Sequence, residues 1–289
     1  MATELRRTLE NVLGAETLES ILVNSRAFYD VYYIKKQSGG SREICKPRPQ
    51  LLSAIRIVLP YLQRIPAGKY VAAYEKGCSV KRNAQKHARG KHLLHLDIKD
   101  FFPSVSRRMF METYKKVFAA ADLDMVWNII SFNDGLPIGS PASPFVANRV
   151  LYGLDKKLGS LSFFVKYTRY ADDMIFSSRR YIQKVFISQA EAAVKAAGFS
   201  LNPNKTYCMS SRKQVTGIII TDKGKLSVGT TYKKTLKGDI YKLLLKDEGD
   251  KSVIKGRFSY LAQIEPDYAE VIRKKYQAYD RIGFFGKKR

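Results

Sequence analysis

Three aspartates lie where apolar stretches of the sequence end. Asp97 follows the apolar run 92–96, and Asp172 and Asp173 stand between two further apolar runs. If these runs are strands of one sheet, the three carboxylates meet at its rim. Magnesium prefers such oxygen ligands, and two ions about 3.5–4 Å apart can hold the attacking and leaving oxygens of a phosphoryl transfer. The pattern therefore predicts a phosphoryl-transfer site that binds two Mg²⁺ ions.

Other polar clusters make weaker predictions. An Asp-Asp pair alone also suits an ordinary turn, because short acidic side chains bind the local backbone. His87, His92 and His95 fall close together in the chain, which raises the alternative of a zinc site. Residues three apart on a strand face opposite sides, and no cysteine is near, so we do not expect zinc there.

The elements that must position the aspartates follow from the hydrophobic pattern, which predicts an α+β fold. Helical periodicity covers residues 1–27, 51–64, 107–132 and 182–197, a loop at 135–141 leads into a helix through 147 and 151, and two or three basic helices, interrupted at Gly249 and Pro266, occupy the last sixty residues. Strands are predicted at 28–34 and 42–45 around a hairpin turn at 38–41, at 92–97, at 162–167 and 174–177, and near 215–220 and 225–228.

The composition is strongly basic. Lysine and arginine number 51 against 26 acidic residues, and the formal net charge is +25. A basic folded chain of this kind is expected to bind a polyanion such as nucleic acid. The three cysteines are scattered, and the N-terminal residues lack the apolar core of a signal peptide. These features predict a cytoplasmic protein without a disulfide framework or a membrane segment.

Four sequence boxes resemble motifs of the reverse transcriptases. Tyr170–Asp173 reads YADD, and residues 96–104 around Asp97 are similar to the first carboxylate motif of that family. Residues 136–144 resemble the substrate-contacting loop, and residues 198–206 resemble the glycine-to-lysine motif. The boxes appear in the order of the family, over roughly residues 90–220.

Two shorter motifs narrow the resemblance to bacterial retron reverse transcriptases. Asn83 and His87 fit an Asn-Ala-x-x-His motif, and Val215, Thr216 and Gly217 form a Val-Thr-Gly triplet. By this resemblance, all five residues are expected to help bind RNA.

The resemblance implies a right-hand polymerase: fingers at 1–90, a palm of antiparallel sheet and flanking helices at 91–229 with a fingers insertion at about 104–135, and a helical thumb at 230–289. It also implies a structured noncoding RNA as template and primer, deoxynucleotide triphosphates as substrates, and a branched multicopy single-stranded DNA as product. An effector protein and a role in antiphage defence are implied as well.

The resemblance also assigns roles to individual residues. Asp97, Asp172 and Asp173 would bind the metal ions, and Lys205 would stabilise the leaving pyrophosphate, although a solvated lysine is the alternative. The substrate-binding residues would be the sugar gate Phe102, the close-approach residue Gly139, the triphosphate ligands Arg42 and Lys46, and the primer-packing residue Tyr170. The family often has glutamine where this chain has Ile138.

Other functions remain open from the sequence. A group II intron-like or diversity-generating reverse transcriptase, or an RNA-dependent RNA polymerase, would share the architecture. A non-catalytic RNA-binding protein built on a decayed polymerase is the alternative of a different class. Three retained aspartates in so basic a chain speak against that decayed polymerase.

Overall fold

The computed structural model describes residues 3–36 and 39–286. The chain opens with helices α1 (Glu4–Leu13) and α2 (Ala15–Val23). Gly14 separates them with a φ of +82°, a conformation that glycine adopts without strain. Within the stretch 1–27, predicted as helical throughout, the described residues form two α-helices followed by a short 3-10 turn at Ser25–Phe28.

An antiparallel hairpin follows, formed by β1 (Tyr29–Lys35) and β2 (Ser41–Pro47). Both strands were predicted, whereas Ser38 of the predicted turn lies outside the described residues. Helix α3 (Pro49–Leu62) comes next. Pro49 suits its first turn, because proline lacks the N–H that has no helical partner there. Helix α4 (Val80–His87) was not predicted, since its sequence is almost entirely polar.

The central sheet has four antiparallel strands, and two of them carry Asp97 and Asp173. These are β3 (His92–Asp97), β4 (Lys166–Tyr170), β5 (Asp173–Ser178) and β6 (Tyr207–Met209), in the order β4-β5-β3-β6. Strand β3 has its predicted bounds, and β6 was not predicted. The arm predicted at 162–167 becomes extended only at Lys166, because residues 162–165 form a turn that exposes Phe163 and Phe164.

Helices flank this sheet. They are α5 (Arg107–Tyr114), α6 (Ala120–Ile130), α7 (Ser143–Val150), α8 (Tyr152–Ser160) and α9 (Lys184–Ala196). The single helical segment predicted at 107–132 is therefore two helices. Side chains alternate along the strands, so Leu94 and Phe176 join one core with these helices and the N-terminal elements. Leu93 and Ile175 face a second core.

The second core belongs to the C-terminal part of the chain. It contains a small sheet of β7 (Gln214–Val215), β8 (Ile218–Ile220) and β9 (Leu226–Ser227), and three helices, α10 (Thr230–Lys246), α11 (Lys251–Ile264) and α12 (Pro266–Tyr276). The helices break at Gly249 and Pro266 as predicted. None of the described helices is both long and apolar enough to cross a membrane.

Candidate active site

The structure brings the three predicted aspartates together. Asp97 and Asp173 are cross-strand partners on β3 and β5, and Asp172 sits in the β4–β5 turn. One carboxylate oxygen from each lies within 4.8 Å of the others. The backbone fixes this arrangement, because the amide of Ile98 donates to the carbonyl of Asp172 over 3.1 Å. We call Asp97, Asp172 and Asp173 the carboxylate cluster.

The turn that carries Asp172 is itself strained. Ala171 has a φ of +55°, which costs a residue with a Cβ about 1 kcal/mol. Its carbonyl oxygen accepts a hydrogen bond from Arg169 over 3.1 Å. That bond helps to hold the turn in a conformation it would otherwise leave.

Repulsion within the carboxylate cluster is only partly compensated. Burial, followed by the charges of Asp173 and Asp97, raises the pKa of Asp172 to about 6. The ammonium of Lys205 donates to Asp97 over 2.9 Å, and this hydrogen bond is the main cause of a raised lysine pKa. The cluster therefore holds a carboxylate that is difficult to ionise without a further cation.

His95 is a second basic partner of the carboxylate cluster, a role that was not predicted from the sequence. Its Nδ1 lies 2.7 Å from the carbonyl oxygen of Lys205, and its Nε2 lies 2.9 Å from Asp173. Both partners accept hydrogen bonds, so both ring nitrogens donate and the ring carries a positive charge. Burial alone would lower the pKa of His95, but the hydrogen bonds with Asp173 and Lys205 raise it.

A divalent metal ion fits these residues. Three carboxylates face the two cations Lys205 and His95, so the cluster keeps a negative charge, and its oxygens are the hard ligands that such ions prefer. The cluster borders a cleft of ≈ 640 Å³ between the sheet rim and β2. Arg42, Phe102 and Lys205 line the cleft together with Asp97 and Asp172.

The other predicted substrate-binding residues have different positions. Lys46 is exposed on β2 but does not line the cleft, and Tyr170 packs against the first core. Gly139 was expected to let the backbone approach a nucleotide. A Cβ on it would instead stand 2.8 Å from the carbonyl oxygen of Cys45, and the amide of Cys45 donates to Ile138 over 2.7 Å. Glycine is therefore needed here for the close approach to β2.

The Asn83 and His87 pair lies inside the protein, not on its surface. Both side chains are fully buried. The hydroxyl of Thr168 donates to Asn83, so it accepts from Nε2 of His87, and Nδ1 then accepts from the hydroxyl of Ser177. The pair fastens α4 to the central sheet. Direct contact of these two side chains with RNA, as expected from the sequence, is at odds with their burial.

The Val-Thr-Gly triplet comprises the last residue of β7, Val215, and the turn between β7 and β8. Val215 is fully buried, so its side chain cannot contact RNA directly either. Thr216 and Gly217 have φ angles of +47° and +82°, the pair of positive values that a two-residue type I′ hairpin requires. Only the exposed Gly217 and the half-buried Thr216 offer surface to a ligand.

A buried network behind the turn was missed by the sequence analysis. Arg169 binds Asp155 through Nε and Nη2, both at distances below 3 Å, and donates through Nη1 to Asn148 over 3.0 Å. The hydroxyl of Tyr167 donates to the same Asp155 over 2.7 Å. We call Arg169, Asp155, Asn148 and Tyr167 the arginine network. The contact joins residues on β4, α7 and α8, and no local spacing reveals it.

The sequence matches a known protein family. The family described as "Reverse transcriptase (RNA-dependent DNA polymerase)" matches residues 34–221. This range includes all three aspartates, Lys205 and the Val-Thr-Gly triplet.

Curated relatives are retron reverse transcriptases. The retron Ec73 enzyme of Escherichia coli is 30% identical over 84% of this chain and 85% of its own length. The retron Ec83 enzyme of Escherichia coli is 28% identical over 89% of this chain and 90% of its own length. The retron Mx162 enzyme of Myxococcus xanthus is 29% identical over 70% of this chain, which spans only 49% of that relative.

Among solved structures, telomerase from Candida albicans in complex with a fragment of telomeric RNA is similar over 91% of this chain and 58% of its own. The TM-score is 0.49 and the sequence identity is 11%.

Proposed function

The chain belongs to the reverse transcriptase (RNA-dependent DNA polymerase) family, with retron reverse transcriptases as its relatives, and from this premise we propose that it copies a structured noncoding RNA into branched multicopy single-stranded DNA. Its α+β architecture is the right-hand polymerase fold of that family. The observation that carries the proposal is the convergence of Asp97, Asp172 and Asp173 beside a cleft that Arg42 and Lys205 also line.

We assign metal binding to the carboxylate cluster. Divalent ions are used throughout this family, and we propose two Mg²⁺ ions held by Asp97 and Asp172, with Asp173 as the third carboxylate. When bound, the ions would activate the primer hydroxyl and neutralise the charge of the triphosphate. His95 fixes the orientation of Asp173 by its hydrogen bond, as outer hydrogen-bond partners of metal ligands commonly do.

Lys205 is placed to act on the triphosphate. Its side chain is about half exposed while its ammonium binds the buried Asp97, so the side chain is free to turn toward a ligand in the cleft. Arg42 reaches the same cleft from β2. We propose that both side chains neutralise phosphate charge, which favours the departure of pyrophosphate. Lys46 lies outside the cleft, so its contribution to neutralising phosphate charge would be weaker.

We propose that Phe102 selects deoxynucleotides. The ring lines the cleft floor with Tyr74, and the two ring centroids are 6.4 Å apart. A rigid ring there would clash with the 2′-hydroxyl of a ribonucleotide. Phe102→Ala is expected to raise ribonucleotide incorporation about tenfold or more, since a steric clash of about 1–3 kcal/mol is removed. Primer extension with each nucleotide type measures this, and unchanged sugar discrimination would refute the assignment.

The retron-level roles follow from the relatives. We propose fingers at 1–90, a palm at 91–229 with the insertion at about 104–135, and a thumb at 230–289 whose basic helices follow the RNA–DNA duplex. A cytoplasmic location, a partner effector protein and a role in antiphage defence belong to the same proposal. The free cysteines Cys45, Cys78 and Cys208 suit a reducing compartment.

Primer extension on an RNA template tests the catalytic proposal. With Mg²⁺ and deoxynucleotides, Asp172→Asn is expected to lower the rate of extension at least about a thousandfold, because it removes a charged ligand of the metal ions that stabilise the transition state. RNA binding is expected to persist. Asp124→Asn, at an exposed carboxylate paired with Arg107, is the matched control. Equal rates for native chain and Asp172→Asn would overturn the proposal.

Sequencing the nucleic acid that copurifies with the protein tests the retron assignment, and a branched RNA–DNA molecule is expected.

A further inference from the structure

Two phenylalanine rings stand out of the surface at the end of the central sheet remote from the carboxylate cluster. The side chains of Phe163 and Phe164 are 106% and 67% exposed. Both lie in the turn before β4, where the amide of Phe164 donates to the hydroxyl of Ser162 over 3.2 Å. Single exposed apolar residues need no explanation, but two adjacent aromatic rings held clear of a core are uncommon.

Cations surround the two rings. The guanidinium of Arg180 lies 4.7 Å from the ring centre of Phe164. A depression of ≈ 260 Å³ beside the rings is lined by further basic residues, Lys86, Arg89, Lys166 and Arg179. Within residues 3–36 and 39–286, none of these five cations pairs with a carboxylate. We call the two rings and the five cations the aromatic–cationic patch.

The positive potential of the patch reaches into the protein. Burial, followed by the positive charges of Lys166 and Lys86, lowers the pKa of His87 to about 3. The patch is also separate from the cleft. Ser177 at its floor lies four residues from Asp173 along β5, or about 14 Å at the usual rise of a strand.

We propose that the aromatic–cationic patch binds a single-stranded segment of RNA outside the catalytic cleft. Unpaired bases stack on aromatic rings and arginine planes, and clustered cations hold the phosphates that connect them. Two rings offer far less apolar area than the roughly 800 Å² that each partner of a stable protein interface buries, and an unpaired cationic rim favours a polyanion. RNA is chosen over DNA because RNA is the template of this family.

The inference goes beyond the catalytic proposal and does not depend on it, because its test measures binding without turnover. A labelled, unstructured RNA of about 16 nucleotides, the upper range of known single-strand sites, is titrated with the full chain. A short RNA–DNA duplex in excess occupies the cleft. Phe163→Ser combined with Phe164→Ser is expected to weaken RNA binding about tenfold or more. Lys166→Gln combined with Arg179→Gln is expected to lower the slope of log affinity against log salt by about 1.4.

The control removes exposed apolar side chains elsewhere. Val12→Ser combined with Val23→Ser, at positions 60% and 85% exposed on α1 and α2, is expected to leave RNA affinity and salt slope unchanged. Thermal unfolding checks that all variants are folded, and the two cation substitutions are at exposed sites. Unchanged affinity and slope in the patch variants would overturn the proposal. So would a loss confined to single-stranded DNA, or a change in self-association with normal RNA binding.

Discussion

The β4–β5 hairpin carries two charged clusters of opposite character. At its turn, the carboxylate cluster borders an open cleft, and burial, followed by the charges of Asp173 and Asp97, raises the pKa of Asp172 to about 6. A few residues earlier, the arginine network is closed. Arg169 is fully buried, Asp155 is 2% exposed, and the guanidinium finds acceptors in Asp155, Asn148 and Ala171.

The difference teaches how this chain divides stability from function. Buried charges persist in a fold only when paired and hydrogen-bonded, and the arginine network meets that condition with groups from β4, α7 and α8. The carboxylate cluster does not meet it, and its excess charge is available to a ligand. The arginine network thus supports the turn that carries Asp172 of the carboxylate cluster.

Breaking the arginine network should have the largest effect on stability. Arg169→Met leaves Asp155 buried without its cation, and we expect a loss of about 3–5 kcal/mol in the free energy of unfolding. Urea unfolding measures this loss. The double variant Arg169→Met and Asp155→Leu removes both charges and should recover much of the stability. If Arg169→Met lowers the free energy of unfolding by less than about 1 kcal/mol, the arginine network does not support the turn.

Acid should have the next largest effect on stability, through the buried His87, which belongs to neither region but binds the same two strands, β4 and β5. The pKa of His87 is lowered from 6.5 to about 3, so the unfolded chain takes up a proton that the folded chain refuses. This contribution to stability is complete above pH 6.5 and is lost as the pH falls toward 3, by about 2 kcal/mol between pH 7 and pH 5. Comparing unfolding free energies of native chain and His87→Gln at both pH values isolates it. An identical pH dependence in the two proteins would be the contrary result.

Neutralising Asp172 in the carboxylate cluster should change the free energy of unfolding by a smaller amount and in the opposite direction. Because the pKa of Asp172 is raised from 3.8 to about 6, its contribution to stability is present below pH 3.8 and is lost as the pH rises through 6. At pH 7 we expect Asp172→Asn to raise the free energy of unfolding by on the order of 1 kcal/mol, after allowance for solvent screening. Asp124→Asn, which has no such neighbours, should not. A clear destabilisation by Asp172→Asn would mean that the cluster is stabilising.

The carboxylate cluster was easier to predict from the sequence than the arginine network, for a physical reason. An aspartate that ends an apolar strand reveals its position through the period of the strand, so the meeting of Asp97 with Asp172 and Asp173 was predictable. His95 lies two residues before Asp97, on the same face of β3, and this spacing was an available signal that was not used. The partners of Arg169 come from separate helices, and only packing brings them together.

Two further expectations from the sequence could not include what packing does to the residues concerned. The aromatic content of residues 162–165 favours a strand, yet these residues form the exposed turn of the aromatic–cationic patch. Asn83 and His87 were expected to help bind RNA because they match the retron Asn-Ala-x-x-His motif, and a motif match does not reveal whether its side chains are buried. In the structure both side chains bind polar groups of the central sheet instead. His87 contacts the hydroxyls of Ser177 and Thr168, and Asn83 accepts a hydrogen bond from Thr168.

Counting bound metal ions tests the central claim most directly. Electron paramagnetic resonance of Mn²⁺, titrated into the chain with primer–template and a non-hydrolysable deoxynucleotide, reports the number and affinity of sites. We predict two ions on the native chain, loss of that binding in Asp172→Asn, and weaker binding as the pH falls through about 6, because metal and proton compete for the carboxylate. Equal ion binding by native chain and Asp172→Asn would contradict the account.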